Sequence, residues 1–457
     1  MFILVLILIV CFNICLFFKP ANSFVILFPL IIFYPRILPQ IQILGGAHGD
    51  DLILLILFIF IILKNKGGTV FNPVSKWVLG LLVLQLIGLF SGIITDSITH
   101  SMREALKVEF KSFRLFIYAT IVSLAFVNRK EIENLYFTLL TTFFAAFVIM
   151  IVINLYPSLG LQSIWLRPHH ILRYNIAEAG TERFAGVLAG VWNAGVVGEI
   201  VTVFCVSSIF SNQKINFFKK SIFYILPATS FFGLALSATR TGSILILFGI
   251  LLILFYNMLY ARKIKSLIYF CSISGIAYFT YHMYSRIYHN VGYRLISRFE
   301  NLELAFYQRK TIWLEILHDV YSKGIIFGVG NAGTSQYTHS LYVWILAALG
   351  LLGVFYFMAM IVAIFRGLRW MKKVEKKSFK SSGFNMRVAL IAMITCLAIH
   401  GLFDSLGYYS REVIVIFSAM AYKWYRINEG MIDENIQKNG SSLFHVGKSK
   451  DSLLAIR

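Results

Sequence analysis

The chain has 457 residues, 58% of them hydrophobic and only 14% charged. Soluble domains carry about a quarter charged residues, so this composition excludes an ordinary soluble enzyme and makes the chain a polytopic membrane protein. Its 42 basic residues against 21 acidic ones act as a topology signal and do not call for a nucleic-acid partner, because they sort to one side of the apolar runs.

In chain order, apolar runs near 2–18, 51–63, 77–95, 113–127, 134–156, 187–210, 221–237, 241–260, 266–283, 339–365, 388–401 and 413–424 predict membrane-spanning helices. The expected fold is therefore all-α, a polytopic bundle of about twelve spans. The membrane-embedded part covers 1–424 and a cytoplasmic tail covers 425–457. The first run lacks a basic leader and is long for a signal peptide, so a retained helix is expected there. A further apolar run, 21–40, is crowded by Pro20, Pro29, Pro35 and Pro39. Proline removes backbone donors that lipid cannot replace, which predicts a broken or re-entrant segment. All five cysteines fall in apolar runs with no second pair at zinc-ligand spacing, so they read as packing residues.

Lys and Arg collect in cytoplasmic loops. With the N-terminus inside, the inner segments hold 25 basic and 7 acidic residues, and the outer ones 17 and 14. Inner segment 366–387 alone carries eight basic residues and one acid, enough for an inner-leaflet anchor. The type of cation also differs by side: Lys outnumbers Arg 18 to 7 inside, and Arg outnumbers Lys 12 to 5 outside. Arg offers a planar fork for bidentate phosphate binding, so the outer face reads as a site for an anionic, phosphate-bearing ligand.

Two outer loops are long enough to build such a site. Loop 157–186 contains Arg167, His169, His170, Arg173 and Arg183. Loop 284–338 contains Arg286, Arg294, Arg298, Arg309 and Lys310, and its apolar residues recur at helical spacing from Leu295 to Leu317, which predicts amphipathic helices lying on the bilayer. Between two spans, the tight turn Ser237-Ala238-Thr239-Arg240-Thr241-Gly242 holds Arg240 close to hydrocarbon, where a guanidinium needs a partner or a function. Asn193 and Glu199 lie inside an apolar run and are candidates for the same reason, while His400, Asp404 and Arg411 surround the last outer turn. His169-His170 and His48-Gly49-Asp50-Asp51 lack a full ligand set, so no metal is expected.

The string His339-Ser340, nine residues, Gly350, two residues, Gly353 resembles the histidine signature of bacterial O-antigen ligases, within the wider O-antigen ligase and polymerase superfamily. Arg309 with Trp313, Gly328-Val329-Gly330, the Ala-Thr-Arg-Thr turn at Arg240 and Arg183-Phe184-Ala185-Gly186 are similar to that superfamily in order and spacing. Ser340 stands where many members have Asn, an alternative within the ligase pattern. The resemblance implies a bacterial inner-membrane, metal-independent, inverting glycosyltransferase that needs no cofactor and acts on the periplasmic face. Its donor would be an undecaprenyl-diphosphate-linked glycan. Its acceptor would be lipid A-core, or a lipid-linked glycan if the chain is a repeat-unit polymerase. By the same resemblance His339 activates the acceptor hydroxyl, and Arg240, Arg309 and Arg183 hold the donor diphosphate. Ser340, Gly350, Gly353 and Asn193 are expected to support the site. A transporter or flippase is the competing class, with ionisable residues around a cavity at mid-membrane as its distinguishing mark.

Overall fold

The computed structural model describes residues 19–37, 49–65, 72–98, 102–156, 188, 191–210, 217–236, 239–261, 268, 271, 275, 302–330, 340–377, 385–403, 406 and 408–448. Among them the structure is helical, with no strand. In chain order the helices are α1 (Pro20–Ile37), α2 (Gly49–Lys64), α3 (Pro73–Ile94), α4 (Met102–Ala125), α5 (Arg129–Leu155), α6 (Val191–Ile209), α7 (Phe217–Leu236), α8 (Arg240–Ala261), α9 (Leu302–Lys323), α10 (Leu341–Lys377), α11 (Met386–Phe403) and α12 (Tyr408–Lys448). Five of these, α3, α5, α8, α10 and α11, hold stretches long and apolar enough to cross a membrane. Shorter apolar stretches occur in α1, α2, α4 and α6. The predicted spans at 2–18 and 266–283 lie outside the described residues, apart from single positions in the second.

Several boundaries follow from local chemistry. Asn72 caps α3 by accepting from the Ser75 amide at 2.7 Å, and the Ser75 hydroxyl accepts from the Asn72 amide at 2.9 Å. Pro73 stands at a first-turn position, where its missing N–H would have no helical partner in any case. Asn128 and Glu131 form the same reciprocal cap at α5.

One expectation is corrected. The described part of segment 21–40 is one helix: α1 runs through Pro29 and buries Phe24, Leu27, Phe28 and Ile31, while Pro20 occupies its first position. Each internal proline removes only one helical bond, and this burial against α4 and α5 offsets the loss. The basic segment 366–387 is helical up to Lys377, and the predicted tail from 425 continues α12 as far as Lys448. At about 1.5 Å per residue these helices outrun a ~30 Å apolar layer, so α10 and α12 carry their polar ends beyond it.

Helix α6 is the centre of the bundle. Every residue from Ala194 to Ser208 is buried, and the helix packs on α5, α7, α8, α11 and α12. A helix apolar all round needs neighbours on every side. Aromatic rings fill the space around it: Phe204 meets Phe417 of α12 at 4.6 Å between centroids, and the Tyr136 hydroxyl of α5 donates to the Phe204 carbonyl at 2.8 Å. At the bundle end where α8, α10 and α12 leave the apolar layer, Arg387 binds Glu375 at 2.7 Å and the Tyr256 hydroxyl at 2.6 Å. Trp370 donates to Glu429 at 3.0 Å, which joins α10 to α12.

The expected single span 339–365 is bent. Gly350 has φ 64° and ψ −162°, so α10 is two helices meeting at that residue. The backbone groups freed there pair with the segment after α9: the Leu351 amide donates to the Ile325 carbonyl at 2.9 Å, Leu352 to Ile326 at 3.2 Å, and Val329 to Ala347 at 2.9 Å. Backbone at membrane depth must be satisfied inside the protein, and this segment does so for the bend. Gly88 and Gly92 of α3 make room for it, since a Cβ on either would lie 2.4 Å from the Ala348 or Val329 carbonyl oxygen.

Candidate functional site

Five helix termini meet at the opposite end of the bundle from Arg387. Arg240 opens α8, and Ser340, the residue after His339, precedes α10. The Thr239 carbonyl accepts from the Ser243 amide at 3.1 Å and the Thr239 amide donates to Leu234, which fixes the α7–α8 turn ahead of Arg240. The Ser340 hydroxyl donates to the Gly401 carbonyl near the end of α11 at 3.1 Å. Asn193, near the start of α6, accepts from Ser410 at the start of α12 at 3.2 Å.

These termini pack closely because small residues face one another. A Cβ on Gly195 would lie 3.0 Å from the Thr239 methyl and 3.7 Å from His400 Cε1, and one on Gly242 would lie 2.6 Å from the Gly195 Cα. Beneath them His400 Nδ1 meets Glu199 Oε1 at 2.6 Å, each side chain 1% exposed. The sequence marks both residues as candidates, but not as a pair.

The start of α12 ties three helices with three consecutive residues. Ser410 reaches α6, Arg411 stacks over the Trp344 ring of α10 at 4.0 Å, and Glu412 pairs with Arg114 of α4 at 3.1 Å. Arg411 also donates to the Leu406 carbonyl at 2.8 Å, and Arg114 to the Tyr118 hydroxyl at 3.2 Å. Arg114 and Glu412 are not singled out in the sequence reading; the signal available there was two charges at the outer ends of apolar runs. Glu412→Ala is expected to destabilise the protein by about 2–3 kcal/mol, because Arg114 keeps its charge and loses its carboxylate in a nearly buried site. Thermal unfolding in detergent measures this, and an unchanged midpoint would make the pair ornamental.

Of the sequence-derived site residues, Ser340 and Asn193 are brought into this cluster. Gly350 and Gly353 belong to the bend in α10, about a third of the way along the helix; a Cβ on Gly353 would lie 2.2 Å from that of Leu349. Their role is architectural. Arg309 is half-buried on α9, and α9 packs against α10. The other end of α9 leads to the bend through Gly324, whose carbonyl accepts from the Gly328 amide at 2.7 Å. The helix expected in 294–317 is observed from Leu302 to Lys323; Val320 is buried, and Tyr307, Leu314 and Tyr321 are exposed. Arg183, His339 and the side chain of Arg240 lie outside the described residues. Among the described residues no three His, Cys, Asp or Glu side chains gather as metal ligands would. No protein-family model matches the chain, and no curated protein matches it.

Proposed function

We propose that the protein is a lipid-linked glycan transferase of the O-antigen ligase and polymerase type, working in a bacterial inner membrane with its site on the periplasmic face. The observation that supports this reading is that the α8 N-terminus, which opens with Arg240, and the α10 N-terminus, which directly follows His339, lie at the same end of the bundle, the first packed on Gly195 of α6 and the second bonded to Gly401 of α11. The twelve-span topology, with loop 284–338 outside, belongs to the same reading and rests on the distribution of basic residues.

In this mechanism His339 takes the proton of an acceptor hydroxyl, whose oxygen attacks the anomeric carbon of the donor from the face opposite the diphosphate. The bond from that carbon to the diphosphate oxygen breaks, and the undecaprenyl diphosphate leaves with added negative charge. Arg240, Arg309 and Arg183 meet that charge, and fixed guanidinium groups in a water-poor site stabilise it more in the transition state than in the ground state. Imidazole has an unperturbed pKa of ~6.5 and can accept a proton near neutral pH. The polyprenyl chain stays in the bilayer throughout.

Ligation to lipid A-core is the favoured acceptor chemistry, since the string from His339-Ser340 to Gly350 and Gly353 resembles the ligase signature. The carrier alternative would draw on the buried Glu199–His400 pair, but Gly195, one turn from Glu199, already contacts the first turn of α8, which links the pair to the site. Purified protein in detergent, given an undecaprenyl-diphosphate-linked glycan and lipid A-core, is expected to yield glycosylated lipid A-core. Deletion of the gene should remove all glycan from lipid A-core. Bands carrying a single repeat would point to a polymerase, and an unaltered profile together with no product in vitro would reject the reading.

A further inference from the structure

We infer that Glu199 and His400 are a positioning pair that sets the α8 and α10 N-termini relative to each other, an inference that rests on the glycan-transfer reading for its role in catalysis. Burying a carboxylate and an imidazole at 1% exposure each is unfavourable unless they are joined, and an apolar pair of similar volume would hold the helices at least as well. What an apolar pair lacks is direction. The 2.6 Å contact fixes α11 against α6 at one height and one rotation.

The two arms of the device start from that contact. On α11, Gly401 follows His400 and its carbonyl holds the Ser340 hydroxyl at 3.1 Å. The Ser340 carbonyl in turn accepts the first helical bond of α10, from the Trp344 amide at 3.0 Å. On α6, Gly195 lies one turn from Glu199 and backs directly onto Gly242 and Thr239 of the α8 start. One turn further along α11, Cys396 Sγ reaches the Leu245 carbonyl of α8 at 3.6 Å, so α11 also bears on α8 directly. A slip of the pair is thus transmitted to Ser340, next to His339, and to Thr239, next to Arg240. Displacements of about 1 Å between reacting groups can lower turnover by roughly 100-fold.

The test combines kinetics with an assay that needs no reaction. Glu199→Ala and His400→Ala are each expected to lower kcat about 30- to 100-fold, with little change in the donor KM, because neither residue touches the donor. The exchanged pair Glu199→His/His400→Glu should recover about tenfold over either single variant. Wild-type kcat in both singles, or an exchanged pair no better than the singles, overturns the proposal. Should the alanine variants fail to accumulate, Glu199→Asp keeps the charge and shortens the reach by one methylene; it must still lower kcat, and an unchanged kcat counts against the pair. Separately, thermal unfolding of Ser340→Ala, His400→Ala and the double variant should give non-additive shifts in Tm, and additive shifts overturn the linkage. If wild-type protein transfers no glycan, the functional reading falls and this cycle alone decides whether the pair seats the α10 terminus.

Discussion

Gly350→Ala is expected to prevent accumulation of folded protein or to lower its stability by at least about 3 kcal/mol. The native φ of 64° and ψ of −162° lie in a region that only glycine occupies readily. Strain is compounded by contact, since a Cβ there would stand 2.4 Å from the Ile326 carbonyl oxygen and 2.5 Å from the Gly328 nitrogen. Both of those atoms are backbone, and moving them would break the bond from Leu352 to Ile326 and the one from Gly328 to Gly324. Gly328, at φ 72°, is held in the same way against Ala348, so the strain has no soft side on which to relax. Gly367 of the same helix is the control. Beyond its chain neighbours and the backbone of its own helix turns, no atom lies within 4 Å of its Cβ position, and Gly367→Ala in a helix interior should stabilise by about 0.5–1 kcal/mol. Thermal unfolding of the two variants should therefore move in opposite directions. Equal midpoints would mean that the bend is not required.

That bend marks the line between what the sequence discloses and what it withholds. Periodicity and apolar length locate α2, α3, α5 to α8 and α11 to within about five residues, because lipid and core both demand continuous apolar surface and the caps at Asn72 and Asn128 are local; of α4 they locate only the apolar part, since the helix begins at Met102. Gly328, Gly330 and Gly350 are visible in the sequence as a pattern, and the resemblance attaches them to chemistry. Their observed task is to let two backbones and α3 pass within contact distance, a property of the tertiary arrangement that no single stretch encodes. Glu199 and His400 are likewise legible as costly residues in apolar runs, yet they are 201 positions apart and only packing joins them. The helical extensions of α10 and α12 are not legible for a different reason. Hydropathy reports where the apolar layer stops, whereas a helix continues as long as its side chains tolerate it. Trp370 holds these two extensions together by its ring contact with Tyr422 and its hydrogen bond to Glu429.

His339→Ala is expected to lower glycan transfer by about 100- to 10,000-fold, the range a positioned general base supplies, while leaving the protein folded. Ser340 makes the bond to Gly401 that seats the α10 terminus, and this substitution does not touch it. Arg240→Lys and Arg309→Lys should each reduce transfer roughly 10-fold or more although charge is kept, because an ammonium cannot reproduce a bidentate guanidinium–phosphate contact. The two arginines are carried differently. Arg240 opens a helix locked by Gly195 and Gly242 at the bundle end, whereas Arg309 sits half-buried on α9, coupled to the bend in α10. A donor-binding measurement should thus separate them from the base: both Lys variants weaken donor binding, and His339→Ala retains it while losing turnover. Normal surface glycan in His339→Ala at matched protein level would remove the catalytic assignment. Lys variants that bind and turn over as wild type, alongside Ala variants that fail, would leave charge alone as the requirement and dispose of the bidentate clamp.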